Sequence, residues 1–301
     1  MADGHDGYLD QFYLNDGAGN FSFAPNAIPA LKESNSCVRA ADFDRDGDLD
    51  LFLGGRVKPG NYPVSASSRI LRNDSKAAAV LFTDQTKTLA PALENLGLVT
   101  DAVWTDVDND GWSDLMICGE WMPVTLFHNE KGQLKPVERQ DALAGSEGWW
   151  NSIVPGDFDN DSDMDYVVGN LGENSFYTGS SQYPLSVYFK DFDRNGTSEL
   201  VPTRYLKNRQ GVPKEYTTHL RDHVVEQMPF IKKRFLTYQA FSEAEFSQVF
   251  SEEEKKGLGS KKATHFSHSL LINNGAAGFS LKPLPGMAQL APVFGMVADD
   301  F

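Results

Sequence analysis

The chain has 301 residues, 41% of them apolar and 12% aromatic, which is enough to build a core and too hydrophobic for a disordered chain. Its 42 Asp and Glu against 27 Lys and Arg give a formal charge of −15, which argues against a nucleic-acid or anionic-membrane partner held by charge. No apolar run approaches the ~18 residues of a membrane span, and two cysteines, Cys37 and Cys118, do not make a disulfide scaffold.

Residues 1–30 begin MADGHDGYLD, with no apolar leader, and run into FYLNDGAGNFSF from Phe12. That stretch is two short apolar runs around a turn of Asn, Asp and Gly, residues that tolerate positive φ. Residues 34–90 hold a different hairpin, SCVRAADFDRDGDLDLFLGGR from Ser36, whose turn is acidic, followed by RILRNDSKAAAVLFTD from Arg69 with the Asn-type turn. The same pair returns over 98–140 as VTDAVWTDVDNDGWSDLMICGEW from Val99 and VTLFHNEKGQLKPV from Val124. Over 148–183, WWNSIVPGDFDNDSDMDYVVGNLGE repeats the acidic hairpin with little room for an outer one. Over 184–285, LSVYFKDFDRNGTSELVPTRYL from Leu185 and SLLINNGAAGFSLKP from Ser269 flank a segment, 215–260, rich in Glu, Lys, Gln and aromatics. SEAEFSQVF from Ser242 opens that segment's helical pattern with a capping-box signal, so two or three short helices are expected there. Residues 289–301 offer one more inner strand, and with the hairpin of 1–30 they would complete one further unit. The chain stops at VADDF, where another acidic loop would start, so a segment of a longer protein is expected.

One acidic hairpin plus one Asn-type hairpin makes a four-stranded antiparallel unit, and repetition at this spacing predicts an all-β fold, a β-propeller of such blades with a small α-helical insertion. A β-sandwich with decorated turns is the alternative.

In DFDRDGDLD the side chains of Asp42, Asp44 and Asp46, the carbonyl of Asp48 and the side chain of Asp50 occupy loop positions 1, 3, 5, 7 and 9. Alternate residues of a tightly curled loop point inward, so oxygen ligands converge on one point, as in the first half of an EF-hand, and select a hard cation, calcium above magnesium. Gly47 at position 6 suits a sharp turn. The second loop, Asp106, Asp108, Asp110, the Trp112 carbonyl and Asp114, is as complete. The third, Asp157, Asp159, Asp161, the Asp163 carbonyl and Asp165, has Ser162 in place of the glycine. The fourth, Asp191, Asp193, Asn195, the Thr197 carbonyl and Glu199, loses a charge and is expected to bind most weakly. These loops hold 17 of the 42 acids, and four Ca2+ would take the charge from −15 to −7. Zinc-type spacing of His and Cys is missing, so no other metal is expected.

The pattern resembles the FG-GAP or VCBS repeats of bacterial surface proteins and of the integrin α-subunit propeller, in which this loop binds calcium. Phe294-Gly295 and Val297-Ala298 precede the last, incomplete loop as in the family, and LDLFLGG and MDYVVGN supply the strand after it. The Gly-Ala-Pro end of the integrin pattern is missing, and Ser162 and Glu199 are off consensus. The resemblance implies an extracytoplasmic protein, in the periplasm, on the outer surface or secreted, and structural calcium.

If the loops share one face, the turns after each second strand share the other. That puts Arg56, Lys58, Tyr62, Glu120, Trp121, Trp149, Trp150, Asn170 and Asn174 on one rim, where aromatics among amides suit a glycan or a protein loop. The competing expectation is that these tryptophans are buried between blades. Three functions stay open: a binding module of the envelope, a calcium-dependent polysaccharide lyase using His219, His223, His265 or His268, and a structural spacer.

Overall fold

The computed structural model describes residues 9–31, 33–76, 79–138 and 141–299. Strands β1 (Tyr13–Asn15) and β2 (Phe21–Phe23) form a lone hairpin. Then β3 (Ser34–Ala41), β4 (Asp50–Val57), β5 (Arg69–Asn73) and β6 (Phe82–Asp84) make the first four-stranded antiparallel sheet in sequence order, followed by the single-turn α1 (Thr86–Leu89). The second sheet repeats the plan with β7 (Leu98–Thr105), β8 (Asp114–Met122), β9 (Thr125–Asn129) and β10 (Leu134–Pro136), and β8 also takes the two-residue β11 (Gly148–Trp149).

The third sheet departs from chain order. Strands β12 (Ser152–Gly156) and β13 (Asp165–Gly169) form the acidic hairpin. The next in sequence, β14 (Leu185–Lys190), β15 (Glu199–Lys207) and β16 (Pro213–Thr217), belong to a fourth sheet. Helices α2 (Arg221–Gln227), α3 (Ile231–Arg234), α4 (Tyr238–Glu243), α5 (Phe246–Val249) and α6 (Glu252–Lys255) follow, and β17 (Gly259–Ala263) closes the fourth sheet on β14. Only then does the hairpin β18 (Ser269–Asn273) and β19 (Phe279–Pro283) return to pair with β13, Tyr166 opposite Leu271 and Val168 opposite Ser269. The hairpin from Ser269, expected in the unit 184–285, is therefore the outer half of the unit begun at 148, and residues 170–268 are inserted between the two halves. Adjacency in sequence misassigned it, because pairing depends on register and buried surface and not on chain distance.

Three sheets stand side by side, with β3, β7 and β12 as neighbours. Ser36 Oγ donates to the Val99 carbonyl at 2.8 Å and Thr100 Oγ1 to the Trp150 carbonyl at 2.9 Å. Asp101 joins all three: its Oδ1 takes Arg39 Nη2 from the first sheet and its Oδ2 takes the Ile153 N–H from the third at 3.1 Å. Phe43, Phe52, Ile70, Leu115, Ile117 and Phe127 fill the space between sheets one and two, and Met116, Leu126, Trp150, Tyr166, Leu271 and Phe279 that between two and three. The central strand β8 is buried along its whole length, and glycine is required where another backbone crosses it or its counterpart. A Cβ at Gly55 would meet the Ser67 carbonyl, and one at Gly119 the Leu98 carbonyl.

Among the described residues no sheet follows the third in the row, and the ring is not closed. The hairpin β1–β2 does not pair with residues 289–299. Phe12 packs on Phe82 of the first sheet, whereas Val293 bonds to Asn170 and Ser152 of the third. The completed unit expected from 1–30 with 289–301 is not formed there; residues 1–8, 300 and 301 lie outside the described residues.

The fourth sheet lies across the turns that follow β4 and β8. Leu185, Val187, Ala263 and Phe266 pack on Leu98 and Trp121, and Lys261 Nζ donates to Ser65 Oγ at 2.9 Å. Its own other face holds the helices through Val201, Val224, Ile231, Phe246 and Val249. Trp150 is fully buried in the core between sheets two and three, with Nε1 donating to the Ser146 carbonyl at 2.9 Å. Trp150→Ala should therefore cost about 3–5 kcal/mol in a urea titration, the penalty of emptying a large core site; a loss under 1 kcal/mol would contradict this placement.

Candidate metal centre

All four acidic loops adopt one backbone course. The fourth residue is left-handed in each, Arg45 (φ 61°), Asn109 (59°), Asn160 (62°) and Arg194 (63°), and so is the sixth, Gly47 (101°), Gly111 (85°), Ser162 (75°) and Gly196 (87°). Such φ values strain a residue with a Cβ, so their recurrence in non-glycine positions shows a turn imposed by its hydrogen bonds.

Those bonds are made by the aspartates. The position 1 carboxylate gathers N–H groups from the far side of the turn: Asp42 from Asp46 and Gly47 at 3.1 and 3.2 Å, Asp106 from Asp110 and Gly111 at 3.1 and 2.8 Å, Asp191 from Asn195 and Gly196 at 3.0 and 2.9 Å. Asp157 does the same with Asn160 and Ser162 at 2.7 and 3.1 Å. The position 5 side chain accepts from the residue two further on, Asp48, Trp112, Asp163 or Thr197.

The ninth residue is the buried one. Asp50, Asp114 and Asp165 are at most 1% exposed, and Glu199 7%. Asp114 Oδ2 takes the Val107 N–H at 3.1 Å, Asp165 Oδ2 that of Phe158 at 3.1 Å, and Glu199 Oε2 that of Phe192 at 2.7 Å, which ties loop end to loop start. The other oxygen of each aspartate takes the N–H of an outer-hairpin asparagine: Asn73 on Asp50 at 2.8 Å, Asn129 on Asp114 at 2.7 Å, Asn273 on Asp165 at 2.8 Å. Two of these asparagines then reach the preceding sheet, Asn129 Nδ2 donating to the Phe43 carbonyl at 2.8 Å and Asn273 Nδ2 to the Val107 carbonyl at 3.0 Å. The repeated Asn of the outer hairpin, read from sequence only as a turn residue, thus links the first acidic loop to the second sheet and the second loop to the third.

Carboxylate oxygens within 4.8 Å of one another come from Asp42, Asp44 and Asp50, from Asp106, Asp108 and Asp110, from Asp157, Asp159 and Asp165, and from Asp191, Asp193 and Glu199. Twelve of the predicted side chains are gathered in these four groups; Asp46, Asp161 and Asn195 instead hold the turn through the N–H of position 7. Asp50 tests the fit most sharply. Its Oδ2 is buried and has no partner among the described residues, and burial, with Asp44, Asp46 and Asp48 adding repulsion, pushes its carboxyl up to about 7. A buried, unpaired carboxylate oxygen facing other carboxylates is the donor set a hard divalent cation takes. Burial also raises Asp44, Asp114 and Asp159 above the ordinary carboxylate range.

Sequence spacing gave histidine no place here, yet His128 Nδ1 lies 3.0 Å from Asp114 Oδ1 and 3.7 Å from Asp108. The β8–β9 pairing that brings Asn129 to Asp114 brings its neighbour too, a signal readable only from the hairpin register.

The loops do not share one face. The Ser198 N–H donates to the Gly60 carbonyl at 3.2 Å, which sets the fourth loop beside the turn after β4, at the opposite end of the first sheet from Asp42–Asp50. The predicted rim is covered accordingly. Arg56 Nη2 and Tyr62 OH donate to the two oxygens of Glu120 at 2.5 and 2.9 Å, Trp121 Nε1 donates to Tyr62 OH at 2.6 Å, and Trp149 packs on Trp121 at 4.8 Å. Those five residues meet under the fourth sheet, with Trp121 only 6% exposed. Trp150 and Asn170 are corrected outright, being fully buried; Asn170 is spent on His265, His268 and Leu171. Lys58 bonds Asn95, and Asn174 stays exposed against the Leu290 carbonyl. Of the histidines, His268 is buried between the Asn170 N–H and the Ala291 carbonyl, His265 meets Thr264, and His219 and His223 pack edge to face.

The model of the FG-GAP-like repeat matches residues 2–53 and 106–168, spanning the first three acidic loops and stopping before the insertion. Such repeats form propeller-like interaction modules, often calcium-binding and in general without enzymatic activity, and typical of extracellular proteins. No curated protein matches the chain. Among the described residues no helix is long and apolar enough to cross a membrane.

Two outcomes follow for the loops. In chelator, Asp50 gives stability that is full below the unfolded carboxyl value near 4 and lost as pH rises towards 7, up to about 4 kcal/mol; Asp50→Asn should flatten that fall and raise the melting temperature in EGTA at pH 7.5, while lowering it in calcium. Ser162→Gly should stabilise by up to about 1 kcal/mol by relieving the positive φ, read as a shift in urea midpoint; an unchanged or lowered midpoint would contradict the strain.

Proposed function

We propose that this FG-GAP-repeat protein is a calcium-stabilised, propeller-type interaction module that works outside the cytoplasm, presenting a glycan- or protein-binding surface on a scaffold locked by its acidic loops. The observation that carries this reading is the convergence of three carboxylates in each of the four loops, sharpest where the buried oxygen of Asp50 faces Asp42 and Asp44 unpaired. Calcium would be held by Asp42, Asp44 and Asp50, by Asp106, Asp108, Asp110 and Asp114, by Asp157, Asp159 and Asp165, and most weakly by Asp191, Asp193 and Glu199. Its part is structural: it neutralises carboxylates that otherwise repel, and so fixes each hairpin.

Extracellular calcium modules bind at roughly 10⁻⁴ to 10⁻³ M, so at millimolar calcium a tighter site adds about 1.4 kcal/mol by mass action. Such a gain exists only where calcium is that abundant, which supports an extracytoplasmic setting. A spacer role shares this scaffold and differs in having no ligand.

Calorimetric titration of calcium into EGTA-stripped protein should show several sites in that range, with Asp44→Asn removing one and magnesium failing to compete. Saturation by magnesium at equal affinity, or no binding, would count against calcium as the resident ion.

A further inference from the structure

A cleft lies in the insertion, beyond the end of the family match at residue 168, between the tip of the β15–β16 hairpin and helices α4 and α5. Its volume, 660 Å3, sits within the roughly 300–1,000 Å3 of small-ligand sites. Its lining combines exposed aromatic surface with polar groups left unspent by the fold. Tyr238 is 63% exposed, and the Arg221 guanidinium lies 5.3 Å from its ring centroid.

The charges in the cleft are arranged to leave positive potential. Glu243 is neutralised by Arg209 at 2.5 Å and Glu245 by Lys214 at 3.1 Å. Arg221, only 9% exposed, spends Nε on the Phe235 carbonyl at 2.8 Å and Nη1 on Asp222 at 3.2 Å, and Nη2 has no partner among the described residues. Lys207 has no ion pair among the described residues. In a chain of formal charge −15 this is a local excess of cation over acid.

His219 adds a second pointer. Its Nδ1 is buried with no hydrogen-bond partner among the described residues, an unsatisfied polar atom in the wall of the cleft. Burial, with His223 beside it, pulls its pKa below the ordinary histidine value, so at neutral pH the ring can both donate and accept. A flat aromatic ring, a neutral imidazole and a net cationic wall match a ligand with a ring, many hydroxyls and a carboxylate. An acidic peptide supplies the carboxylate but offers the exposed Tyr238 no ring face to stack on.

We propose that the cleft between the β15–β16 hairpin and α4–α5 binds an acidic oligosaccharide of the uronic-acid type, its carboxylate held by Lys207 and Arg221 and a sugar ring by Tyr238. This rests on the interaction-module reading and gives it a site and a ligand class. Neither Lys207 nor Tyr238 supports the core, since both are exposed.

The test is calorimetry on the intact chain in millimolar calcium with trigalacturonic acid, maltotriose as the neutral counterpart, and a glutamate-rich peptide. The trisaccharide acid should bind, maltotriose should bind at least tenfold more weakly, and Lys207→Ala and Tyr238→Ala should each weaken the acid about tenfold with an unchanged melting temperature, the loss expected for one charge-assisted or stacking contact. Equal binding of maltotriose, binding untouched by both variants, tighter and equally variant-sensitive binding of the peptide, or no binding of trigalacturonate would each overturn the proposal. A calcium titration on the same sample separates this from failure of the scaffold reading, because loss of calcium binding would appear there and not in the carbohydrate arms alone.

Discussion

The structure turns on the carboxylate at the ninth position of each acidic loop. Taking an anion out of water is unfavourable unless hydrogen bonds or counter-charge replace the lost solvent. Asp114 and Asp165 meet that requirement with N–H groups from two places, the loop's own second residue and the asparagine of the outer hairpin. One side chain thus fixes loop, second strand and third strand together. Asp50 lacks the first of those partners, and its free oxygen is where a cation would complete the set.

From that point order spreads between sheets. Asn129 and Asn273, held in place by the same carboxylates, bond the carbonyl of the second loop residue in the preceding sheet, where Phe43 and Val107 are buried. The equivalent Phe158 of the third loop is 40% exposed, as follows when, among the described residues, no sheet stands beyond it in the row. On the inner side Asp101 gathers one donor from each neighbour. Acid residues are therefore the fasteners of this protein, and its −15 charge is largely the chemistry of its turns.

The loops and their hairpins were legible in the sequence because everything they need is local: alternate acids, a glycine at position 6, apolar runs on either side. Even the departure at Ser162, where the turn takes a glycine elsewhere, could be read in advance. What could not be read depends on contacts distant in sequence. The outer hairpin of the third sheet arrives after residues 170–268, and no local pattern distinguishes it from the outer hairpin of the fourth unit. His128 reaches its carboxylate through strand register. Trp121, Trp149 and Trp150 have the composition of a ligand platform, yet the inserted sheet and the second core cover them, so the rim does not present them.

The most direct measurement is a thermal melt in calcium against EGTA, with bound metal counted on the same sample. Calcium should be bound at the loops, and the melting temperature should fall on chelation. A melting temperature indifferent to EGTA, in protein shown to have lost its metal, would contradict this.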